Sequence, residues 1–297
     1  MSLDLRAFAQ LLIFGLAWGG LYALVASGLN LVFGVTRILN LAHGDLLMVG
    51  AYMMYWLFNL WGLSPIVSML ISAPLFFLVG IVMQRLIVHP IIKVDPTVEK
   101  VEKTTLIVFF GVLLFLQNGA LLLWSGDYRV ISYLTQPLEA WKIAVSANKV
   151  VVFLVALIIC LLLHIFLKNT FLGKAIRAIS QDREAGMVLG INPTHMGMLS
   201  FGLGAALAGI SGSLAGLIYV ITPTMGFIFT IKSFIVMLIG GLGSTMGALI
   251  GGLCLGVFES IGSFFIGEGY KEAIDYFVLL LFILLFSRGY IFRSRNI

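Results

Sequence analysis

Long apolar runs separated by short polar clusters set the pattern of this chain. The runs cover residues 7–36, 46–63, 66–84, 105–124, 150–167, 196–220, 230–265 and 274–287. A membrane β-strand would alternate apolar and polar residues over segments of about ten. Leu106–Leu123 and Val150–Leu163 instead run apolar without alternation. With about 20 apolar residues needed per helical crossing, the pattern predicts an all-α, polytopic transmembrane bundle of about eight spans, range seven to ten. The whole chain, 1–297, reads as a single transmembrane domain.

Two runs need closer reading. Residues 230–265 would make a helix of some 54 Å, well over the roughly 30 Å of hydrocarbon. Their middle reads Gly240-Gly241-Leu242-Gly243-Ser244, which is poor helix and good turn. Two spans meeting at those glycines are expected. Residues 7–36 are long for one span, and Asn40–Asp45 interrupts the apolar pattern just after them. One tilted helix and a span plus a partial helix both remain open, and with them the side of the N-terminus. The first run is far longer than the roughly 7–15 residue core of a signal peptide, so it is expected to stay in the mature chain.

Composition removes several function classes. The hydrophobic set makes up 61% of the chain and charged residues 10%, where a soluble domain carries roughly 25% charge. Mean hydropathy is +1.10. A disordered chain, a nucleic-acid module and an ordinary cytosolic enzyme are excluded. The net charge of +5 then reads as a positive-inside bias. Eleven of the eighteen cationic residues lie in three segments: Arg85–Lys103, Lys168–His195 and the tail with Arg288, Arg293 and Arg295. All three are placed in the cytoplasm. An even number of spans must separate each from the next, which puts Ser125–Lys149 and the acidic Gly267–Asp275 outside. Cys160 and Cys254 both sit in apolar runs and are read as packing residues.

Three features could carry chemistry. In Lys168–His195, Ala175, Ile176, Ile179, Ala185, Met187, Val188 and Leu189 give an apolar face, with Lys174, Arg177, Asp182, Arg183 and Glu184 on the polar side and Gly190 and Pro193 as terminators. Such a segment lies on the lipid surface or seats in a partner's groove. Asn40–Asp45 is either an interfacial loop or irregular backbone at membrane depth, which is tolerated only where protein buries it or water lines it. Helix ends there would offer free N–H or C=O groups to a small polar substrate. Asn30, Asn40, His43, Gly44 and Asp45 are accordingly the candidate substrate pathway. Gly15/Gly19, Gly212/Gly216, Gly243/Gly247/Gly251 and Gly252/Gly256 have small-xxx-small spacing, for static packing or for sliding and symmetric contacts. Asn30, Gln117, Asn118, His164, Lys232 and Glu259 are scattered polar positions. An ionisable group inside a membrane points to function, but His164, Lys232 and Glu259 also read as snorkelling near span ends. Pro223–Lys232 reads as a break between two spans, either an extracellular-side gate or a re-entrant turn. No H-E-x-x-H, G-x-x-x-x-G-K-[ST] or G-x-S-x-G occurs, so no metal, nucleotide or nucleophile site is expected.

Four stretches carry a family resemblance: GLYALVASGLNLVFGVTRILNLAHGDLLMVGAY (20–52), KAIRAISQDREAGMVLGIN (174–192), FGLGAALAGISGSLAG (201–216) and SFIVMLIGGLGSTMGALIGGLCLGVFES (233–260). With their spacing they cover most of the chain. They resemble the inner-membrane permease subunits of branched-chain amino acid ABC importers. The resemblance implies a multi-pass transport subunit, not an enzyme, in a prokaryotic inner (plasma) membrane. Its partners would be two ATPase subunits, a second permease (identical or homologous), an extracytoplasmic substrate-binding protein and the lipid bilayer, with no nucleic acid. ATP and Mg²⁺ would sit on the ATPase, and this chain would bind no cofactor of its own. Residues 168–195 would form the cytoplasmic coupling helix, with Arg177, Asp182, Glu184, Ala185 and Gly190 as coupling positions. Branched-chain or other hydrophobic amino acids are the expected cargo. Urea or short amides, an ion-coupled secondary transporter working through Asp45 or Glu259, and a membrane enzyme using His43 and Asp45 are the competing readings.

Overall fold

Helix α1 (Leu5–Thr36) is continuous for 32 residues, about 48 Å at 1.5 Å per residue. The computed structural model describes residues 5–94, 97–140 and 143–287, and it decides the N-terminal alternative in favour of one long helix. The chain is irregular from Arg37 to Ala42 and then enters α2 (His43–Trp61). Gly62 stops α2 at φ +64°, with its N–H donating to the Phe58 carbonyl and the Leu63 N–H to the Leu57 carbonyl. Ser64 and Pro65 open α3 (Pro65–Met83), which a π-turn over Gln84–Val88 joins to the short α4 (His89–Val94). Then follow α5 (Val98–Trp124), an antiparallel hairpin of β1 (Pro137–Ala140) and β2 (Ile143–Ser146) with Leu138 opposite Val145, and α6 (Ala147–Asn169). Two short helices, α7 (Phe171–Gln181) and α8 (Arg183–Val188), lead to α9 (Pro193–Ala215). The last three are α10 (Met225–Gly240), α11 (Thr245–Ile266) and α12 (Lys271–Ser287).

Six helices are long and apolar enough to cross a membrane, and α10 is a shorter apolar one. With α2 and α12, nine apolar helices of at least 16 residues stand among the described residues, inside the expected range. The small hairpin is an addition that the apolar pattern did not announce.

The split of 230–265 falls at the expected glycines. Gly241 (φ +91°) and Gly243 (φ +80°) take backbone angles that side-chain-bearing residues avoid, and Ser244 caps α11 by accepting from the Gly247 N–H at 3.0 Å. Asn30 of α1 holds this turn in place. Its amide donates to the Gly241 and Ser244 carbonyls at 3.0 and 2.8 Å and accepts from the Gly243 N–H.

Two long helix seams organise the bundle. Along α1 and α11, Ser260 Oγ donates to the Leu11 carbonyl at 2.8 Å, and a Cβ at Gly256 would fall 2.3 Å from Gly15 O. Along α3 and α9, Phe76 lies on Gly209 and Gly80 on the Phe201 carbonyl. Gly212 packs on Leu47 and Ala51 of α2, and Gly247 on Gly240. The partners of every small-residue face are inside this chain. Helix α9 is the centre of the molecule, with 78% of its apolar window buried against 17% for α5.

The two ends differ chemically. Clefts at one end join Arg37, His89, Lys93 and Arg183, so the 85–103 and 168–195 segments share a side, as parity required. The third basic cluster, Arg288, Arg293 and Arg295, lies outside the described residues. At the other end Arg129 bridges to Ile221 through paired backbone bonds and Asn148 donates to the Leu217 carbonyl at 3.0 Å, which brings the 125–149 and 216–224 loops together.

Three expectations are corrected. The break between α9 and α10 is residues 216–224 and not Pro223–Lys232, since α10 is helical from Met225. Lys232 and Glu259 do not snorkel: they are 4% and 5% exposed and ion-paired at 2.8 Å. Asp275, read as part of an outer acidic segment, is 2% exposed in α12 and pairs with the same lysine.

Candidate functional site

The Asn40–Asp45 break lies inside the bundle. Asn40 Oδ1 accepts from the Ala42 N–H at 3.0 Å and folds the segment on itself. The His43 ring then rests against Gly28 of α1, with Nε2 3.1 Å from the Val25 carbonyl. Gly28 precedes the end of α1 by eight residues, about 12 Å of helix. Helix α2 therefore begins within the bundle, about 12 Å back along α1 from its end.

Helix α10 begins at the same place. The Gly44 N–H donates to Thr230 Oγ1 at 3.0 Å, and Thr230 in turn lies within bonding distance of the Leu41 and Gly226 carbonyls. A Cβ at Gly44 would fall 2.0 Å from Gly226 O, and one at Gly226 would fall 2.5 Å from Asp45 Oδ1. Only glycine permits this approach. The N-termini of two helices thus meet in the interior, and their positive dipole ends face a buried carboxylate in the first turn of α2. Asp45 Oδ1 accepts from Gln117 Nε2 of α5 at 3.0 Å. Asp45 Oδ2 and His43 Nδ1 have no partner among the described residues, although both side chains are fully buried.

The five pathway candidates therefore divide. His43, Gly44 and Asp45 sit together at the helix junction, with Asn40 just before them. Asn30 is elsewhere, with its amide committed to the α10–α11 turn. Gln117 and Thr230 belong to the junction too; the sequence offered Gln117 only as one of several scattered polar residues and Thr230 not at all, because a lone polar residue in an apolar run carries no signal of what it faces. Toward the far side of α2, an apolar cleft of about 470 Å³ is lined by Leu46 and Leu116, the neighbours of Asp45 and Gln117, and by Phe76, Trp56 and Trp124.

At the basic end, α7 and α8 form a helical corner. Thr170 caps α7, accepting from the Gly173 N–H at 3.0 Å, and Ala175, Ile176 and Ile179 bury one face. Asp182 breaks the helix in an extended conformation and caps α8, its Oδ1 accepting from the Glu184 and Ala185 N–H groups at 2.9 and 3.0 Å. Gly186 packs on Ile179, and Gly190 ends the corner at φ +81°. Arg177, Glu184 and Ala185 are exposed. The sequence had grouped Met187, Val188 and Leu189 with the buried face of α7. They instead point outward at 47%, 87% and 76% exposure, because the break at Asp182 resets the helical period. An apolar knob flanked by Arg183 and Glu184 results.

No group of three or more potential metal-ligating side chains is found among the described residues. Comparison with known proteins places the pattern. Residues 11–287 match the family model described as "Branched-chain amino acid transport system / permease component". The chain is 31% identical to the high-affinity branched-chain amino acid transport system permease protein BraD of Pseudomonas aeruginosa, over 98% of this chain and 97% of that protein. It is 30% identical to the LivH permease protein of Escherichia coli K12, over 99% and 98% of the two chains. A probable LivH of Methanocaldococcus jannaschii is 28% identical over 85% of this chain and 80% of its own length. No solved structure matches the chain.

Proposed function

The chain belongs to the branched-chain amino acid transport system permease family, and from that premise we propose how its residues serve ATP-driven import. We take the cargo to be branched-chain and related hydrophobic amino acids, as the relatives' names state for them. The working assembly pairs this chain with a second permease, two ATPase subunits that hold ATP and Mg²⁺, and an extracytoplasmic binding protein, in a prokaryotic inner membrane.

The observation that carries the transport reading is the junction of α2 and α10. Two helix N-termini and a carboxylate with one free oxygen are rare company inside a bilayer, where unsatisfied polar atoms cost several kcal/mol. They suit the polar end of a small substrate. His43, Gly44 and Asp45 line the closed point of the pathway. Asn40 frames it by folding the approach to α2, while Asn30 acts at a distance by fixing the α10–α11 turn.

The α7–α8 corner is the coupling element. Its apolar knob, Val188 and Leu189, seats in a groove on the ATPase, with Arg177 and Glu184 at the polar rim, while Asp182 and Gly190 give the corner its shape. Movement of that corner is transmitted to α1 and α9, on which it packs.

The test is uptake of radiolabelled L-leucine by proteoliposomes containing the full assembly and its binding protein. The wild type is expected to accumulate leucine with ATP. The V188D/L189D double variant is expected to lose at least ~10-fold in uptake, the equivalent of 1.4 kcal/mol or more of docking energy, while still inserting and eluting as the wild-type permease. Uptake at the wild-type rate would remove the knob from coupling.

A further inference from the structure

At the basic end, a cleft of about 210 Å³ opens between the last turn of α1, α4, the start of α5 and the α7–α8 junction. One wall is aliphatic: Val35, Ile92, Val101 and Ile179. The other carries both signs of charge, Arg37 and Arg183 with Glu102. Arg37 spends one N–H on the Ser180 carbonyl at a long 3.4 Å. The side chains of Arg183 and Glu102 make no hydrogen bond or ion pair with the described residues. A second cleft of about 170 Å³ shares Val35, Thr36, Ile92 and Arg183 and leads on to His89 and Lys93. Cations thus extend along one side, and a single carboxylate stands within the first cleft.

That combination selects its ligand. A volume below the roughly 300–1,000 Å³ of drug-sized sites fits a small metabolite. A phosphate would find the cations but would also meet Glu102, and it would leave the aliphatic wall unused. An apolar molecule would gain nothing from Arg37, Arg183 and Glu102, which are exposed and would stay solvated. A zwitterion with an aliphatic side chain satisfies all the walls, with charge-assisted bonds at both ends.

We propose that this inner cleft binds an aliphatic α-amino acid as its zwitterion, carboxylate toward Arg37 and Arg183, ammonium toward Glu102, side chain on Val35, Ile92, Val101 and Ile179. The inference rests on the family reading for the source of the ligand, which is cargo already delivered to that side. None of the pathway candidates lines this cleft. Ile179, Ser180, Gln181 and Arg183 belong to the coupling corner, so an occupant ties α7 and α8 to α1 and α5. Accumulated cargo then slows the ATP-driven cycle that delivers it.

The experiment uses the assembled permeases and ATPases in nanodiscs without the binding protein, so that both faces are open. Tritiated L-leucine is expected to bind saturably and to lower ATP hydrolysis as it does so. The analogues 4-methylpentanoate, which lacks the ammonium, and 3-methylbutylamine, which lacks the carboxylate, should compete at least ~10-fold more weakly, because each gives up the charge-assisted bonds at one end. E102Q should weaken leucine and abolish its advantage over 4-methylpentanoate. R183Q should do the same with respect to 3-methylbutylamine. The absence of binding, binding indifferent to both substitutions, or competition by 4-methylpentanoate or phosphatidylglycerol equal to that of leucine in the wild type would each overturn the proposal. Leucine uptake into empty proteoliposomes reports separately on the cargo reading. Uptake without inner-cleft binding sinks this inference alone, and no uptake sinks the cargo reading whatever the nanodiscs show.

Discussion

Lys232 is held 4% exposed by carboxylates from two other helices, Glu259 at 2.8 Å and Asp275, with its Nζ 4.7 Å from the centre of the Tyr22 ring. This cluster ties α10, α11 and α12 to α1. Removing one partner from a buried ion group costs more than the group as a whole contributes, because the remaining charges stay buried. K232M is therefore expected to destabilise the folded protein by about 3–5 kcal/mol, and K232M/E259Q/D275N to recover most of that loss. Thermal unfolding in detergent checks both, and a triple variant as weak as K232M would show that the charges are not the cause. From sequence, Lys232 and Glu259 looked like snorkelling residues near span ends. Apolar patterning gives depth along a helix but not the direction a side chain faces, and only the neighbouring helices settle that.

At the scale of elements, the α7–α8 corner turns on one residue. Asp182 lies at the polar rim where a contact with the partner was expected, yet its carboxylate is already occupied in capping α8. Charge reversal there would unfold the cap and remove a surface charge together, so it cannot separate the two roles. D182A is expected to cost about 0.5–2 kcal/mol of local stability and to reduce leucine uptake per ATP hydrolysed. D182N keeps a capping oxygen and should hold the wild-type ratio. Loss of coupling in D182N would make the negative charge, and not the cap, the part that matters. The terminator Gly190 and the amphipathic nature of 168–195 were legible, whereas Pro193, read as a second terminator, opens α9. The outward turn of Met187, Val188 and Leu189 was not, since one extended residue at Asp182 shifts the period and a hydrophobic count cannot register it.

For the molecule as a whole, the junction of α2 and α10 is shut in this structure. His43 and Asp45 are fully buried, and glycine contacts seal the helix ends. An alternating pathway must part them. A cysteine at position 45 is expected to be inert to an aqueous thiol reagent without nucleotide and to react during ATP turnover of the full assembly. Labelling at the same rate in both conditions would remove the junction from the moving pathway. Asn30, grouped with it from sequence, should differ. Its amide fastens the α10–α11 turn, so N30A is expected to act through stability.

Hydrophobic run lengths and charge clusters were enough to determine an all-α membrane protein, its approximate number of helices, the common side of the two described basic segments and the division of 230–265 at its glycines. These follow from the thickness of a bilayer and the backbone angles glycine allows, both of which act locally along the chain. The meeting of two helix N-termini at Gly44 and Gly226, the Lys232 ion cluster and the mixed-charge inner cleft each join residues far apart in sequence. Contacts of that kind arise only when separate helices pack side by side, so the tertiary structure alone decided them.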